Sequence, residues 1–361
     1  MNSIANRLKI LVVLPMVLVL TGVNVYVDPA NRFHDPAPEI ANAILEGKQP
    51  YFTSANGDER KMRQVMIENM RDTVECITIG PSLTMEIDST MAGTDDYYNL
   101  SVSAMNYNDY LAMFALLELN EIHYDRVILC VDSYFFDDSY ITDSWNPGFM
   151  KYAEYMEARL DGREAPEINN GINMQDLQND LLLLFSVTYF QSSLDYVKNN
   201  DSFLSHGNRW GLADETDTAV SHYMPDGSSV FGDSDRNRTL QDVLNEAEDF
   251  DIQSKFAYER HLDDYHKNRF TQLIKYLNER DVSVELFLCP VCPAVWDRVM
   301  EDKEHYYMWD EIEELATGLA AEYDLKITGS YDPYKAGVES TDYYDARHVR
   351  REALQRIFEL P

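Results

Sequence analysis

Short apolar runs alternate with longer, mixed stretches along most of this chain. The apolar runs predict buried strands, at Val74–Ile79, Tyr97–Val102, Arg126–Val131, Val282–Leu288 and Leu325–Thr328. The longer stretches predict helices, at Pro36–Gly47, Asp58–Arg71, Tyr107–Leu119, Lys255–Asn278, Trp309–Tyr323 and Val349–Phe358. Strands that alternate with helices are joined by right-handed crossovers, so the pattern predicts a doubly wound, three-layer α/β fold with a parallel sheet.

The N-terminal part carries one apolar run of a different kind. Arg7 and Lys9 precede the 18 residues Ile10–Val27, a length near the minimum for a membrane span. Because no small-x-small cleavage site closes the run, we expect an uncleaved signal anchor rather than a removed signal peptide. The basic flank predicts a cytoplasmic N-terminus and an extracytoplasmic remainder. A buried core helix is the other interpretation of this run.

One connection in the pattern is much longer than the others. It lies between the third and fourth predicted strands, at residues 133–254, and connections of this length are usually functional insertions or lids. We expect its histidines, among them His206 and His222, to be surface residues without a catalytic role. The predicted division of the chain is an anchor at 1–28, a juxtamembrane and helical segment at 29–72, and a main domain at 73–361 that contains the insertion.

Charge narrows the range of functions. The chain has 63 acidic and 30 basic residues, which gives a formal charge of −33. Nucleic-acid binding needs clustered Lys and Arg, so we expect no nucleic-acid partner. Docking of the acidic surface on an anionic membrane is disfavoured for the same reason. A highly soluble, exported surface fits this charge, and adaptation to salt is an alternative that the sequence leaves open.

The four cysteines suggest no cofactor. Cys76 and Cys130 lie in predicted strands, where cysteine behaves as a small hydrophobic residue. The segment Cys289–Cys292 has the spacing of a redox or zinc half-site, but the chain has no second pair to complete a zinc site. We therefore expect no metal, and either two free thiols or a local disulfide. Thiol oxidoreductase activity is a distant alternative, because the motif comes late in the chain.

Candidate chemistry lies at the two ends of the main domain. Gly80 and Pro81 end the first strand, and Ser82 follows at the strand end where open α/β sheets place their ligands. A serine at this position either caps the next helix or acts as a nucleophile. Far along the chain, Asp345 and His348 stand three positions apart, just before the final predicted helix.

This order of residues resembles the SGNH, or GDSL-like, hydrolase superfamily. The resemblance covers about Thr73–Phe358 apart from the insertion, and it implies a flavodoxin-like, three-layer αβα fold with a parallel sheet. It also implies that Ser82 attacks an acyl carbon, that His348 takes the serine proton, and that Asp345 orients the histidine. A hydroxyl is a poor nucleophile without such a base, and the base needs a partner that fixes its tautomer.

The resemblance also implies donors for an oxyanion. In the family these come from the serine backbone, from a glycine in a second motif block and from an asparagine in a third. The second block is similar to Asn99–Ala104, where Ala104 replaces the glycine but keeps its N–H. The implied oxyanion hole is Ser82, Ala104 and Asn106, with Asn108 as another nearby asparagine.

The third block departs from the family pattern. Asp132 stands where the family has its asparagine, and an ionised aspartate would repel an oxyanion. Three alternatives are open: Asp132 turns away, burial keeps it protonated, or another group supplies the donor. The first block departs too, because Gly80-Pro81-Ser82 replaces the Gly-Asp-Ser signature.

These departures resemble membrane-anchored SGNH proteins of bacterial cell envelopes, such as the D-alanyl transfer protein for teichoic acids and exopolysaccharide O-acetyltransferases. The resemblance implies a serine esterase or O-acyltransferase acting on a cell-envelope glycan or polyol through an acyl-enzyme, completed by water or by an alcohol. Expected partners are the acylated or acyl-accepting polymer and a membrane-bound O-acyltransferase. The alternative is a non-catalytic SGNH-like glycan-binding or scaffold protein, suggested by Asp132 and by the missing glycine.

Overall fold

The computed structural model describes residues 2–53, 57–136, 147–168, 174–199, 209–214 and 218–359, without the side chains of residues 2–12, 147, 175 and 176. The chain forms two compact units. The first comprises residues 1–40, 52–58 and 169–211, and the second comprises residues 41–51, 59–168 and 212–361.

The described helices and strands are as follows. The helices are α1 Asn2–Val27, α2 Ala37–Leu45, α3 Glu59–Asn69, α4 Ser89–Ala92, α5 Tyr107–Leu119, α6 Pro147–Leu160, α7 Met174–Leu184, α8 Val187–Asn199, α9 Asp233–Arg236, α10 Leu240–Asp249, α11 Ile252–Lys255, α12 Asp264–Asn278, α13 Pro293–Glu301, α14 Tyr307–Tyr323, α15 Pro333–Ala336 and α16 Arg351–Glu359. The main sheet contains β1 Thr73–Ile79, β2 Tyr97–Asn99, β3 His123–Cys130, β4 Ser283–Leu288 and β5 Lys326–Gly329. The remaining short strands are Pro50–Phe52, Trp210–Leu212, His222–Tyr223 and Ser229–Val230.

The five-stranded sheet forms the core of the second unit. Its spatial order is β2-β1-β3-β4-β5, and every neighbouring pair is parallel. Parallel strands are covered on both faces and therefore consist of nearly continuous apolar residues; in β1, Cys76, Ile77 and Ile79 are fully buried. The prediction of an α/β fold with a parallel sheet flanked by helices is confirmed.

Two predicted elements differ from the structure. Regular β2 ends at Asn99, although Leu100 N and Val102 N still donate to Thr78 O and Gly80 O, at 2.8 and 3.2 Å. The prediction of a single helix over Lys255–Asn278 is wrong, because the structure has the short α11 and the separate α12. Ala257 and Glu259 between them each have a φ of 54°, outside the helical region. Asp263 then caps α12 by accepting the His266 N–H at 2.8 Å.

In the first unit, α1 contacts the turn between α7 and α8. Asn24 is fully buried, and its Nδ2 donates to the carbonyls of Leu183, Leu184 and Ser186 at 2.9, 3.1 and 3.0 Å. Two of these carbonyls also accept a backbone N–H, because Ser186 N donates to Leu183 O and Phe190 N donates to Ser186 O. Among the residues with described side chains, no helix is long and apolar enough to cross a membrane. The predicted span Ile10–Val27 begins outside those residues.

Candidate active site

Close packing at the end of β1 determines where Ser82 lies. A Cβ on Gly80 would lie 2.6 Å from the Cys130 Cβ and 2.5 Å from the Thr84 Oγ1, so only glycine fits at this strand end. Pro81 then precedes a 3₁₀ turn over Ser82–Thr84, which the Thr84 hydroxyl closes by donating to Pro81 O at 2.8 Å. Ser82 is half-buried. Pro81, rather than Ser82, occupies the capping position of this turn.

The structure brings Ser82, His348 and Asp345 into one hydrogen-bonded series. The His348 Nε2 lies 2.9 Å from the Ser82 Oγ, and the His348 Nδ1 lies 2.7 Å from the Asp345 Oδ2. If Nδ1–H donates to the carboxylate, then Nε2 is the acceptor that faces the serine hydroxyl. The histidine and aspartate side chains are 24% and 20% exposed, so a substrate can reach them.

Asp345 is held as an anion by its own loop. Burial alone would raise the pKa of this carboxyl, but hydrogen bonds from the His348 ring and from the backbone N–H groups of His348 and Arg347 lower the pKa to about 2. Both backbone amides donate to Oδ1 at 2.7 Å. The Asp-x-x-His spacing thus lets one carboxylate anchor the loop with one oxygen and hold the imidazole with the other.

Two of the three predicted oxyanion donors, Ala104 and Asn106, lie on the segment that follows β2. Ala104 has a φ of 49°, a backbone conformation that favours glycine, at the position where the family resemblance places a glycine. Asn106 caps α5 through its Oδ1, which accepts the Asp109 N–H at 3.3 Å. The Asn106 Nδ2 is buried and has no hydrogen-bond partner among the described residues. Asn108, half-buried, lies in the first turn of α5.

Asp132 is buried and bonded within its own loop. Its Oδ1 accepts the Tyr134 N–H at 2.9 Å, and its Oδ2 lies 3.7 Å from the Arg347 Nη2. Burial raises the pKa of the Asp132 carboxyl, and the nearby Arg347 charge opposes that rise. The pairing between Arg347 and Asp132 was not predicted, because no local pattern connects two positions so far apart in the sequence.

The insertion contributes a hairpin to the site. Its strands His222–Tyr223 and Ser229–Val230 pair antiparallel, and Ser229 N donates to Met85 O at 2.7 Å in the serine loop. The ring of Phe231 contacts the His348 ring edge-on, with centroids 5.8 Å apart. The prediction that His222 lies on the surface is wrong, because this residue is buried with its Nδ1 3.0 Å from Val220 O. His206 lies outside the described residues.

A buried carboxyl, Glu86, connects this hairpin to the loop that carries Asp345 and His348. Its Oε1 accepts the Phe231 N–H at 3.3 Å and the Tyr344 hydroxyl at 3.4 Å. Burial raises the pKa of Glu86 to about 7, although these hydrogen bonds and the Arg351 charge oppose the rise. Sequence analysis missed Glu86 and Phe231. The one available signal was an acidic residue between the apolar residues Met85 and Ile87.

The cysteines lie in apolar surroundings. All four are free and buried, and burial raises the pKa of both Cys289 and Cys292. Thiols of this kind remain protonated and react slowly. A different set of metal-ligating atoms, on Asp302, Glu304 and His305, lies close enough together to hold an ion. Exposed acidic groups without an ion are common, so these residues do not by themselves indicate a metal site.

Comparison with known proteins adds no family to this description. No model of a known protein family matches the chain, and no curated protein matches it. The geometry and chemistry of the site therefore carry the functional assignment.

Proposed function

We propose that this protein is an extracytoplasmic serine esterase or O-acyltransferase that acts on acyl groups of a cell-envelope glycan or polyol through an acyl-enzyme. The series from the Ser82 Oγ through His348 to Asp345, at 2.9 and 2.7 Å, carries the proposal. Nucleophile, base and orienting acid in hydrogen-bond contact are what acyl transfer by a serine requires. The strand order 2-1-3-4-5, which is that of flavodoxin-like sheets, supports an SGNH-type fold.

The reaction runs in two halves. The Ser82 Oγ attacks the acyl carbon while the His348 Nε2 takes its proton, and the Asp345 carboxylate stabilises the imidazolium. Collapse of the tetrahedral intermediate breaks the ester bond, and the leaving alcohol takes the proton from His348. Water or an acceptor alcohol then gives a proton to His348 and attacks the acyl-enzyme. Release of the acid or of the new ester returns that proton to Ser82.

We infer that three donors stabilise the oxyanion. They are the backbone N–H groups of Ser82 and Ala104 and the side-chain amide of Asn106. The left-handed backbone at Ala104 and the unpartnered, buried Asn106 Nδ2 support this set. A buried amide donor without a partner is costly unless something accepts its hydrogen bond, and an oxyanion would do so. Because Arg347 lies close to Asp132, the negative charge of that carboxylate is partly offset.

Sequence features support the proposed location and partners. The basic flank and the apolar run Ile10–Val27 support a single-pass anchor with a cytoplasmic N-terminus. The acidic remainder suits an extracytoplasmic domain. A membrane-bound O-acyltransferase that delivers the acyl group, and a polymer that carries or accepts it, are the partners that this function requires.

A non-catalytic, glycan-binding SGNH-like protein is the second candidate, favoured by Asp132 at the family's asparagine position. Incubation with a model acetyl ester, in the presence and absence of glycerol, separates the two. We expect the purified protein to release acetate from the ester. If it is an acyltransferase, it should also transfer the acetyl group to glycerol. Loss of Ser82 or His348 should remove most of this activity. Loss of Asp345 should remove a smaller part of it. Absence of any turnover would favour the binding protein.

A further inference from the structure

Most of the large apolar side chains that are exposed in the described part of the chain lie in the first unit. On α1 they lie between Val13 and Val19, and Tyr26 follows near the end of the helix. On α7, α8 and the turn between them they extend from Met174 to Leu194. Both of these helices contact α1. Single exposed apolar residues are ordinary, but a concentration of them marks contact with a membrane or with another protein.

The junction between α7 and α8 is both apolar and exposed. Its exposed side chains are Leu181, Leu182, Phe185 and Val187, which form what we call the apolar turn. Leu182 is 71% exposed and Phe185 is 60% exposed. The 14 residues Leu181–Leu194 include no charged residue, whereas 26% of the whole chain is charged. An exposed segment without charge, in a protein this acidic, suits an apolar environment better than water.

Hydrogen bonds fix the level of the apolar turn along α1. The Asn24 Nδ2 donates to the carbonyls of residues 183, 184 and 186. Asn24 lies three residues before α1 ends at Val27, which is about 5 Å along the helix axis. The charged residues that come next, Asp28 and Arg32, follow α1. Asp28 is buried and accepts three backbone N–H groups, and Arg32 pairs at 2.8 Å with Asp180, which precedes the apolar turn.

We propose that the apolar turn inserts into the extracytoplasmic boundary of the lipid bilayer, beside the point where α1 leaves it. The inference rests on the proposed function, which makes Ile10–Val27 the membrane anchor. An anchor that spans the bilayer over these residues has Asn24 at the boundary between acyl chains and headgroups, where interfacial elements are buried by about 5–10 Å. Tyr26, which is 63% exposed, belongs to a residue type that is enriched at this depth. A bilayer that surrounds α1 at Asn24 also reaches the turn that is bonded to Asn24.

The backbone of the apolar turn has its hydrogen-bond partners within the protein. In lipid this is a requirement, because no water is present to bond a free carbonyl. The carbonyls of residues 183, 184 and 186 all lie within 3.1 Å of the Asn24 Nδ2, and the carbonyl of Leu182 accepts the Phe185 N–H at 3.2 Å. Insertion of Leu181–Leu194 also removes no ionised side chain from water. A surface that binds a protein usually has a polar rim, so lipid is the occupant that fits this turn.

Fluorescent labels on single introduced cysteines measure which residues reach the bilayer. The four native cysteines are buried and react slowly, so an exposed cysteine takes up a thiol-reactive NBD label selectively. Full-length Leu182→Cys and Phe185→Cys, reconstituted in phosphatidylcholine vesicles, should lose most of their emission when the lipid carries a nitroxide quencher near its headgroup. Leu244→Cys is the matched control, because Leu244 is an exposed leucine of α10 in the second unit, and it should keep its emission.

The possible outcomes separate the inserted turn from the anchor on which it depends. Met16→Cys, at an exposed position of α1, should be quenched by a nitroxide deep in the acyl chains. Quenching at Met16 without quenching at Leu182 and Phe185 would overturn the inserted turn and leave the anchor standing. Equal quenching at Leu244 would overturn it as well, and so would cross-linking of Leu182→Cys between two copies without quenching, which would make a second copy the occupant. Absence of quenching at every position would overturn both. Circular dichroism checks that each variant folds.

Discussion

The Arg347 guanidinium lies 3.7 Å from the buried Asp132 carboxylate. It also lies over the Tyr134 ring, 4.9 Å from its centroid, and donates to the Tyr134 hydroxyl. Arg347 directly precedes His348, the proposed base. The same loop therefore places a positive charge beside Asp132, whose negative charge would repel an oxyanion. The end of β3 and the loop that carries His348 are thereby joined.

Removal of this positive charge should weaken the fold. We expect Arg347→Gln to lower the free energy of unfolding by about 1–3 kcal/mol, below the usual cost of breaking a fully buried pair because Arg347 is partly exposed. Urea denaturation measures this change. The double variant Arg347→Gln with Asp132→Asn removes both charges and should recover most of the loss. Asp132→Asn alone completes the comparison. If the unfolding free-energy changes of the two single variants add up to that of the double variant, the pair is not coupled.

The role of Asn106 can be separated from its role as a helix cap. Asn106→Ser keeps an oxygen that caps α5 but removes the side-chain amide donor. If the amide stabilises the oxyanion, kcat for an acetyl ester should fall about 100-fold with little change in KM or in melting temperature. Asn106→Ala serves as control, because it loses the cap as well and should lower the melting temperature. An unchanged kcat in Asn106→Ser would remove Asn106 from the oxyanion hole.

Glu86 should make the stability of the second unit depend on pH. Its pKa is about 7 in the folded protein against 4.5 in the unfolded chain. Because the folded state holds the proton more tightly, the contribution of Glu86 to stability is fully present below pH 4.5. It is lost as the pH rises through 7, by roughly 3 kcal/mol.

Unfolding of wild type and Glu86→Gln between pH 4 and pH 9 measures this contribution. The charged groups nearest Glu86 are Arg351 and Glu352, and the Tyr344 hydroxyl also faces it; their own titration would be common to both proteins. We expect the difference between the two unfolding free energies to grow in favour of Glu86→Gln as the pH rises. Parallel pH profiles would show that folding does not raise the pKa of Glu86.

The strands and the proximity of Ser82, Asp345 and His348 were predictable, and much of the surrounding site was not. The strand before Ser82 is mostly apolar, because β1 is buried from Cys76 to Ile79 and exposed at Glu75. The Asp345–His348 spacing is local. The contacts of Asp132 with Arg347 and of Phe231 with His348 join distant segments, about which periodicity carries no information. The helix predicted at Lys255–Asn278 failed because the left-handed residues Ala257 and Glu259 have no glycine to mark them.

Gly80 allows a direct test of the packing that positions Ser82. A Cβ at Gly80 would meet the Cys130 Cβ at 2.6 Å, so Gly80→Ala should destabilise the protein by about 1–3 kcal/mol, the usual cost of overpacking a core. It should also lower activity, because Ser82 would shift. The matched control is Gly318→Ala in α14, where an added Cβ meets nothing within 4 Å.

Gly318→Ala should stabilise the protein by roughly 0.5–1 kcal/mol, since alanine is the better helix former. Thermal unfolding of both variants gives the comparison. Similar effects of the two substitutions would show that the end of β1 is less tightly packed than the structure indicates.

Covalent labelling by a fluorophosphonate probe tests the nucleophile most directly. The probe reacts with a serine only when a neighbouring base activates its hydroxyl. The wild-type protein and Ser103→Ala, which removes an exposed serine nearby, should each take up one probe, and peptide mass spectrometry should locate it on Ser82. Ser82→Ala and His348→Ala should remain unlabelled while folded. Absence of labelling in the folded wild-type protein, or labelling at another serine, would contradict the assignment of Ser82 as the nucleophile.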